Sequence, residues 1–357
     1  MKPGAPAQLQ KPGQKRVADQ RRILAIQSPT RVDLAGGTLD CWPLYLFVGD
    51  CVTVNLAIDV TTGCALEPLA KPTVEIEMTD LNFRRSFENA RALFSANDPE
   101  LKLVQTVSEY FYSNSKNVNG FRLKTYSQSP VGGGLGGSSS LCISLIKAFC
   151  SWLDIKLSLY EMVTLASNLE AKVIRTPTGT QDYFPAIQSG FNLIHYSADG
   201  VRLEQLPIPV EPIFDHLILV YTGRAHHSGI NNWQVIKSVI DGDAETLAAL
   251  KDIAKVSDRV ANACREQKWN LMPDLFQQEL EARIRLTTSF TSPEIEQLKR
   301  LTVEHGAQAI KICGAGGGGC VLVWAERSQH ERIRQECRKN GFQPINIRPA
   351  SPQPGLG

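Results

Sequence analysis

The chain has 357 residues, of which 43% are hydrophobic and 21% charged, so its composition excludes a disordered or fibrous protein. Lys and Arg number 38 against 36 Asp and Glu, and a net charge of +2 creates no overall field that recruits nucleic acid. The nine cysteines form no Cys-x-x-Cys pair, which favours buried thiols in a reducing compartment over a zinc site. The sequence has no apolar stretch typical of a signal peptide or of a membrane-spanning helix, so we expect a cytoplasmic chain with no membrane partner.

The first 22 residues differ from the rest in charge. They contain six Lys and Arg residues and a single Asp, within a segment rich in Pro, Gly and Gln. Such a segment buries little apolar surface, so the sequence predicts a mobile basic arm over 1–20.

Strands dominate the predicted elements up to residue 125. Apolar runs bounded by turn residues predict strands at 22–27, 31–35, 50–60, 74–78 and 121–125. Amphipathic spacing predicts a helix over 98–112, and a longer helix over 138–153.

A further helix is predicted to begin at Ser158, because Ser158 and Glu161 form a capping-box pattern. Glu170 falls on the apolar stripe of this helix, between Ala166 and Val173. A carboxylate in the core is costly unless it is paired or bound to a metal, although a helix edge from which Glu170 reaches water explains the pattern equally well.

The Pro-rich stretch 206–212 indicates a joint between two domains. Beyond it the sequence predicts a strand at 216–221, a largely helical block at 229–305, strands at 308–313 and 320–325, a helix at 328–339 and a strand at 344–348. Strands and helices mix without strict alternation, which predicts an α+β fold rather than a doubly wound parallel sheet.

A glycine-rich segment lies between the strand at 121–125 and the helix at 138–153. Its glycines bring backbone amides close to an anion, and the following helix N-terminus adds aligned N–H groups. The sequence therefore predicts a phosphate-binding loop, with a simple helix-capping loop as the alternative. The residues are Gly132, Gly133, Gly134, Leu135, Gly136, Gly137, Ser138 and Ser139.

The same loop matches Gly-x-Gly-x-x-Gly at Gly132, Gly134 and Gly137, so a dinucleotide site is an alternative at this point. A second glycine segment spans 314–319 between two predicted strands. Such a run indicates a loop pressed against another backbone or a ligand, and it lacks the following helix that a dinucleotide site needs.

Three segments in order make the chain resemble the GHMP kinase superfamily. They are Ser28-Pro-Thr-Arg-Val-Asp-Leu-Ala-Gly-Gly-Thr-Leu-Asp40, Pro130-Val-Gly-Gly-Gly-Leu-Gly-Gly-Ser-Ser-Ser140 and Lys311-Ile-Cys-Gly-Ala-Gly-Gly-Gly-Gly-Cys320. The resemblance implies an α+β, two-lobed GHMP kinase fold, with a ribosomal-protein-S5-like N-terminal lobe at 21–205, a ferredoxin-like C-terminal lobe at 206–350 and a tail at 351–357. It also implies ATP and Mg²⁺ as cofactors.

Individual roles follow from the resemblance. Asp182, in Gly179-Thr-Gln-Asp-Tyr-Phe-Pro-Ala, matches the catalytic aspartate, and Arg31 matches the basic residue that faces the reacting hydroxyl. Ser138 and Glu170 match the magnesium ligands. Phosphoryl transfer requires a neutralised γ-phosphate and an acceptor held in line, and these residue types supply both.

The first segment indicates the acceptor. Galactokinases carry Gly-Glu-His-Thr-Asp, whereas this chain has Gly36-Gly-Thr-Leu-Asp40, which is similar to the heptose 7-phosphate kinases that act on an anomeric hydroxyl. The chain departs from that branch in the order of these residues and in having Gly137 where a serine is usual. The resemblance implies a sugar or sugar-phosphate site that includes Gly36, Gly37, Thr38, Asp40, Tyr221, Gly316 and Gly317. Arg224 and His226 could bind a sugar phosphate there by charge and hydrogen bonds, and an exposed polar loop explains the two residues equally well.

Three other functions remain open at this stage. The first is an isoprenoid-type kinase resembling mevalonate kinase, which predicts a less polar acceptor pocket. The second is a Rossmann-type NAD oxidoreductase, which is supported by the glycine pattern alone. The third is a non-catalytic sugar sensor, which would keep the fold but have lost its catalytic activity. We expect a monomer or homodimer.

Overall fold

Two β-sheets organise the computed structural model, which describes residues 23–115, 119–225 and 228–352. The predicted basic arm at 1–20 and most of the tail at 351–357 lie outside the described residues. All nine cysteines lie within them, each with a buried, free thiol, as the sequence predicts.

The first sheet has the order β4-β3-β5-β2-β6-β7, with β1 paired to β2. Only β3 and β5 run parallel, whereas the other pairs are antiparallel. A Rossmann fold needs parallel strands, so this sheet excludes the NAD-binding alternative. The strands are β1 Leu24–Ala35, β2 Cys51–Pro68, β3 Val74–Met78, β4 Phe83–Phe87, β5 Phe121–Ser127, β6 Phe191–Ser197 and β7 Gly200–Gln205.

The strands predicted at 22–27 and 31–35 are one strand in the structure. The register between β1 and β2 shifts between Pro29 and Thr30. Pro29 has no N–H group to donate, and an irregularity in the ladder accommodates it without ending the strand. The sequence predicts two strands here because a proline is also a signal that ends a strand.

The second sheet is antiparallel and has the order β11-β8-β10-β9. Its strands are β8 Leu217–Tyr221, β9 Ala307–Ile312, β10 Cys320–Ala325 and β11 Gln343–Ile345. They lie close to the strands predicted for this part of the chain. The glycine segment 314–319 forms the turn between β9 and β10.

The helices connect and cover the sheets. They are α1 Leu44–Val48, α2 Ala90–Phe94, α3 Lys102–Ser113, α4 Gly137–Leu153, α5 Leu159–Ile174, α6 Tyr183–Ile187, α7 Glu211–Phe214, α8 Ser228–Ile240, α9 Ala244–Arg265, α10 Met272–Leu286, α11 Pro293–Glu304 and α12 His330–Lys339. Among the described helices, none combines the length and the apolar character that crossing a bilayer requires. The mixture of helices and sheets confirms the α+β prediction.

One hydrophobic core extends from the first sheet to the second. It joins Val54 and Leu56 of β2 with Val260 of α9, Phe276 of α10 and Trp324 of β10. The predicted boundary at 205/206 falls between the last strand of the first sheet and the first strand of the second. The division into two lobes stays a prediction, since the sheets share this core.

The C-terminal segment crosses back to the first sheet. Asp59 N–H donates to the Arg348 carbonyl at 3.0 Å, and Ala350 N–H donates to the Ala57 carbonyl at 3.2 Å. The Ser189 hydroxyl also donates to the Ser351 carbonyl at 2.6 Å. The last described residues therefore cover part of β2.

The cap of α5 gives a direct test of the fold. Ser158 accepts from the Glu161 N–H at 3.3 Å, and the Ser158 N–H donates to Glu161 at 2.8 Å, which is the predicted capping box. We expect Ser158→Ala to lower the free energy of unfolding by about 1 kcal/mol, measured by urea denaturation. Ser167→Ala, in the middle of the same helix, is the control and is expected to have no such cost, and equal losses in both variants would contradict the assignment.

Candidate active site

A cavity of about 430 Å³ lies where the two glycine segments approach β1, α4 and α5. Gly132, Gly134 and Gly136 have φ values of 63°, 72° and 70°, the left-handed region that favours glycine. Gly136 is the N-cap residue of α4, so the helix N-terminus opens onto the cavity. This is the arrangement that binds anions through backbone N–H groups.

The second glycine segment holds the first one in place. Cys320 N–H donates to the Gly133 carbonyl at 2.8 Å, and a β-carbon on Gly319 would lie 2.9 Å from that same carbonyl oxygen. Gly317 N–H donates to the Phe290 carbonyl at 2.8 Å. The segment is therefore pressed against other backbone, one of the two explanations that its sequence leaves open.

Arg31 and Asp182 form an ion pair on the wall of the cavity. Arg31 Nε and Nη2 lie 2.8 and 2.6 Å from Asp182 Oδ1, and Nη1 donates to the Gly134 carbonyl at 2.5 Å. Burial disfavours the charge of Arg31, but attraction to Asp182 and Asp33 outweighs it and raises the pKa of Arg31. The guanidinium thus stays charged and links the loop to the carboxylate.

Asp182 also lies directly against the glycine loop. A β-carbon on Gly136 would lie 3.1 Å from Asp182 Oδ2, so a larger residue would crowd the carboxylate. Since Arg31 occupies Oδ1, Oδ2 is the oxygen on the side of the loop. The structure brings together the two residues that the sequence predicts to be catalytic.

Glu170 is buried, with 6% of its surface exposed, which supports the core position on the apolar stripe over the alternative of a helix edge that reaches water. Its Oε2 accepts from the Tyr183 hydroxyl at 2.6 Å and from the Ser139 hydroxyl at 2.8 Å. Burial raises the pKa of Glu170, and hydrogen bonds from Ser138, Tyr183 and Ser139 oppose this rise. The sequence explains why Glu170 is buried but gives no sign of its partner Tyr183.

These oxygen donors fit Mg²⁺, which prefers hard oxygen ligands and is commonly held by one or two carboxylates together with substrate phosphates. Glu170 and Ser138 both line the cavity at the start of α4. Across residues 23–115, 119–225 and 228–352, no group of three or more His, Cys, Asp and Glu side chains is placed to hold a metal by itself. A cation held by Glu170 and Ser138 would complete its coordination with other oxygens, such as those of water or of a bound phosphate.

Asp40 forms another part of the cavity wall and is almost fully buried. Its Oδ2 accepts from the Gln181 N–H at 3.1 Å, and a β-carbon on Gly179 would clash with it. Burial, followed by repulsion from Asp182, raises the pKa of Asp40 to about 6. Gly37 and Thr38 line the same wall.

A buried cluster of charged side chains lies behind Gly36, Gly37 and Thr38. It comprises Asp33 of β1, Glu279 and Arg283 of α10, and Lys311 of β9, each at most 1% exposed. Lys311 Nζ lies 3.2 Å from Asp33 and 3.0 Å from Glu279. The i,i+4 spacing of Glu279 and Arg283 was the available sequence signal, but it is also typical of an exposed helix face.

The remaining predicted acceptor residues lie elsewhere. Arg224 is exposed and pairs with Glu294 at 3.1 Å, and Tyr221 ends β8. Gly316 packs against Phe290, and from this segment Gly314 and Ala315 line the cavity. His226 lies outside the described residues. An acceptor role for Tyr221, Arg224, His226, Gly316 and Gly317 stays a prediction.

The sequence did not identify several apolar side chains of the cavity lining. They are Met78 of β3, Leu81, Leu103 and Val104 of α3, and Ile174 of α5. These residues come from separate elements, so only the folded chain brings them together.

Two family models match the chain. The model of the GHMP kinases N terminal domain matches residues 102–190, and the model of the GHMP kinases C terminal matches residues 259–343. The first range contains the glycine loop, Glu170 and Asp182. The second contains Glu279, Arg283 and the other glycine segment.

Individual relatives are distant but cover most of the chain. The D-glycero-alpha-D-manno-heptose 7-phosphate kinase of Campylobacter jejuni is 25% identical over 89% of this chain and 94% of its own length. The mevalonate kinase of Thermococcus onnurineus is 26% identical over 72% of this chain and 74% of its own length. A solved D-glycero-D-manno-heptose 1-phosphate kinase from Bacteroides thetaiotaomicron superposes with a TM-score of 0.73 at 20% identity, over 92% and 96% of the two chains.

The raised pKa of Asp40 gives a prediction for stability. The pKa of this carboxyl is 3.8 in the unfolded chain and about 6 in the folded protein, so folding favours its protonated form. The stability that the protonated carboxyl contributes is complete below pH 3.8 and is lost as the pH rises through 6, where burial of the charged form becomes a cost. We expect Asp40→Asn to be more stable than the wild-type chain, by an amount that grows from pH 4 to pH 7 and reaches up to about 3 kcal/mol.

Urea denaturation at pH 4.5 and pH 7.5 measures this difference. Asp215→Asn, which removes a carboxylate from the exposed surface, is the control for the loss of a negative charge. If Asp40→Asn gained no more stability at pH 7.5 than at pH 4.5, the buried carboxylate would not carry the cost described here.

Proposed function

The chain belongs to the GHMP kinases, and on that premise we propose that it transfers the γ-phosphate of ATP to a hydroxyl of a sugar or sugar phosphate. The observation that carries the proposal is the Arg31–Asp182 pair, which lies against the glycine loop at the N-terminus of α4. Phosphoryl transfer depends on this combination of a phosphate cradle and a carboxylate beside the acceptor.

The nucleotide occupies the cavity along the glycine loop. Backbone amides of the loop and of the first turn of α4 bind its phosphate oxygens, as helix N-termini bind anions generally. We place the base against apolar side chains of the cavity lining, which include Met78, Leu81, Leu103, Val104 and Ile174. Adenine is planar and largely apolar on its faces, which suits this lining.

Asp182 orients the acceptor hydroxyl and accepts its proton. Arg31 holds Oδ1, so Oδ2 is the oxygen that accepts the hydroxyl proton as the acceptor oxygen attacks the γ-phosphorus. The bond from the γ-phosphorus to the bridging oxygen breaks, and ADP leaves. Arg31 remains protonated and stabilises the negative charge that develops between the loop and the acceptor.

Mg²⁺ supplies neutralisation of the phosphate charges when it is bound. Glu170 and Ser138 are the residues that hold it in our proposal, with Ser139 and Tyr183 fixing the Glu170 carboxylate. The Tyr183 hydroxyl belongs to the residue after Asp182, so it also ties the two carboxylates to each other.

The acceptor binds against the wall formed by Gly37, Thr38 and Asp40. A carboxylate and a hydroxyl group at this wall suit a polyhydroxylated molecule, and the heptose phosphate kinases named above support a sugar or sugar phosphate. A heptose 7-phosphate phosphorylated at its anomeric hydroxyl is our specific proposal. Similarity to mevalonate kinase keeps mevalonate as the second candidate.

ADP release with Mg²⁺ and ATP, measured across sugars, sugar phosphates and mevalonate, tests the function. We expect turnover on a sugar or sugar phosphate and a loss of at least about 100-fold in kcat for Asp182→Asn, because the variant cannot accept the hydroxyl proton. Asp215→Asn is the matched control outside the cavity and should keep full activity. Binding of ATP without turnover of any acceptor would favour a sensor, and turnover of mevalonate alone would favour the second candidate.

Removal of the Tyr183 hydroxyl tests the cation site. We expect Tyr183→Phe to raise the Mg²⁺ concentration that half-saturates nucleotide binding by about 10-fold, since Glu170 loses one of the hydrogen bonds that orient it. Calorimetric titration of Mg²⁺ into the protein with a non-hydrolysable ATP analogue measures this value. Tyr160→Phe, on the exposed side of α5, is the control, and an identical Mg²⁺ requirement in both variants would reject the role of Tyr183.

A further inference from the structure

The loop Gly36–Thr38, which we place at the acceptor, is attached to a helix from the other end of the chain. Arg283 of α10 donates from Nη2 to the Gly37 carbonyl at 2.7 Å, and its Nη1 lies 3.4 Å from the Thr38 hydroxyl. Its Nε donates to Glu279 at 3.1 Å. One guanidinium therefore spans the loop and the buried cluster.

The backbone of this loop is in an unfavourable conformation. Thr38 has a φ of 78°, in the left-handed region where a β-branched residue is rare because its side chain crowds the backbone. The local sequence does not favour this conformation, so contacts from outside the loop must hold it. Arg283 provides contacts of this kind on both Gly37 and Thr38.

Gly37 allows the guanidinium to reach the backbone. A β-carbon at this position would lie 2.6 Å from Arg283 Nη2 and 2.5 Å from Asp33 Oδ2, so no larger residue fits without displacing the cluster. The Phe290 ring lies 5.1 Å from the guanidinium carbon on another side. Arg283 is thus enclosed by protein, and 1% of its side chain is exposed.

The charges around Arg283 are balanced without a ligand. Asp33 and Glu279 face Arg283 and Lys311, which gives two negative and two positive groups. Arg283 therefore has its counterions within the protein and is not a free cation that awaits a phosphate. Its contacts with the loop are additional to this balance.

We infer that Arg283 is a positioning residue: it fixes the loop Gly36–Thr38 so that Thr38 and Asp40 meet the acceptor. This inference rests on the proposed function, because it takes the loop as part of the acceptor site. According to this inference, α10 controls the affinity for the acceptor but not the affinity for the nucleotide, although α10 supplies none of the cavity lining described above.

Two variants of the same cluster separate positioning from stability. Arg283→Lys keeps the positive charge but cannot reach Glu279, the Gly37 carbonyl and the Thr38 hydroxyl together. Lys311→Met removes a charge from the same cluster but no direct contact with the loop, because Lys311 contacts Asp33, Glu279 and the Ile312 carbonyl. Phe290→Leu, which removes the ring beside the guanidinium and no charge, is measured in parallel as a variant with a smaller folding cost.

Steady-state kinetics on the acceptor that the wild-type chain uses are the first measurement. We expect Arg283→Lys to raise the KM for the acceptor about 10-fold, since a hydrogen bond to the loop is lost, and to leave the KM for ATP unchanged. Phe290→Leu should show the same separation at smaller amplitude, and Lys311→Met should not show it, even if it unfolds at a lower temperature. Equal rises in both KM values, or an acceptor-specific rise in Lys311→Met, would overturn the inference.

Hydrogen exchange of residues 36–41 is the second measurement and needs no acceptor. Leu39 and Cys41 N–H groups donate to the Gly36 and Thr38 carbonyls, so their exchange reports the loop conformation. We expect exchange about 10-fold faster in Arg283→Lys than in the wild-type chain and unchanged in Lys311→Met. If the wild-type chain turned over no acceptor, the proposed function would fail, whereas unchanged exchange in Arg283→Lys would reject the positioning itself.

Discussion

The buried charges of Asp33, Glu279, Arg283 and Lys311 constrain how the parts of this active site fit together. Removing charges from water is expensive, and only close opposite partners offset the cost, so each of these side chains requires the others to be in place. They come from β1, α10 and β9. A fold that satisfies them must bring these three elements to one point, directly behind the loop that lines the cavity.

The same constraint positions β1, the strand that carries both Arg31 and Asp33. Arg31 and Asp33 are two residues apart on β1, so their side chains are on the same face of the strand. Asp33 is held by Lys311 and Arg283, while Arg31 reaches Asp182 and the Gly134 carbonyl. Fixing β1 through Asp33 therefore also fixes the arginine beside the glycine loop.

The cavity contains two carboxylates in contrasting surroundings. Asp182 has a cation at 2.6 Å, whereas Asp40 has a backbone N–H and a neighbouring negative charge.

The sequence predicted the parts of the site whose signals are local. The glycine loop, the helix that follows it and the capping box at Ser158 all depend on residues within a few turns of each other, whereas the apolar stripe left the burial of Glu170 open. Asp182 and Arg31 were found through the resemblance of whole segments, since neither position differs locally from a turn aspartate or a strand arginine.

The features that the sequence did not reveal depend on distant contacts. Lys311 and Arg283 are indistinguishable from ordinary polar residues until β9 and α10 are packed against β1. The ion pair between Arg224 and Glu294 likewise depends on residues 70 positions apart. Pro29 ended a predicted strand because a ladder irregularity in β1 cannot be recognised without its partner β2.

The return of the C-terminal segment to β2 has a consequence for biosynthesis. Arg348 and Asp59 are 289 residues apart in sequence, so their hydrogen bonds cannot form until all of the intervening residues have been synthesised. At typical elongation rates of about 5–20 residues per second, β2 waits on the order of 15–60 s for this cover. During that interval the nascent chain exposes backbone near Ala57 and Asp59 that the finished protein hides, and these hydrogen-bonding groups are open to other partners until the C-terminal segment arrives.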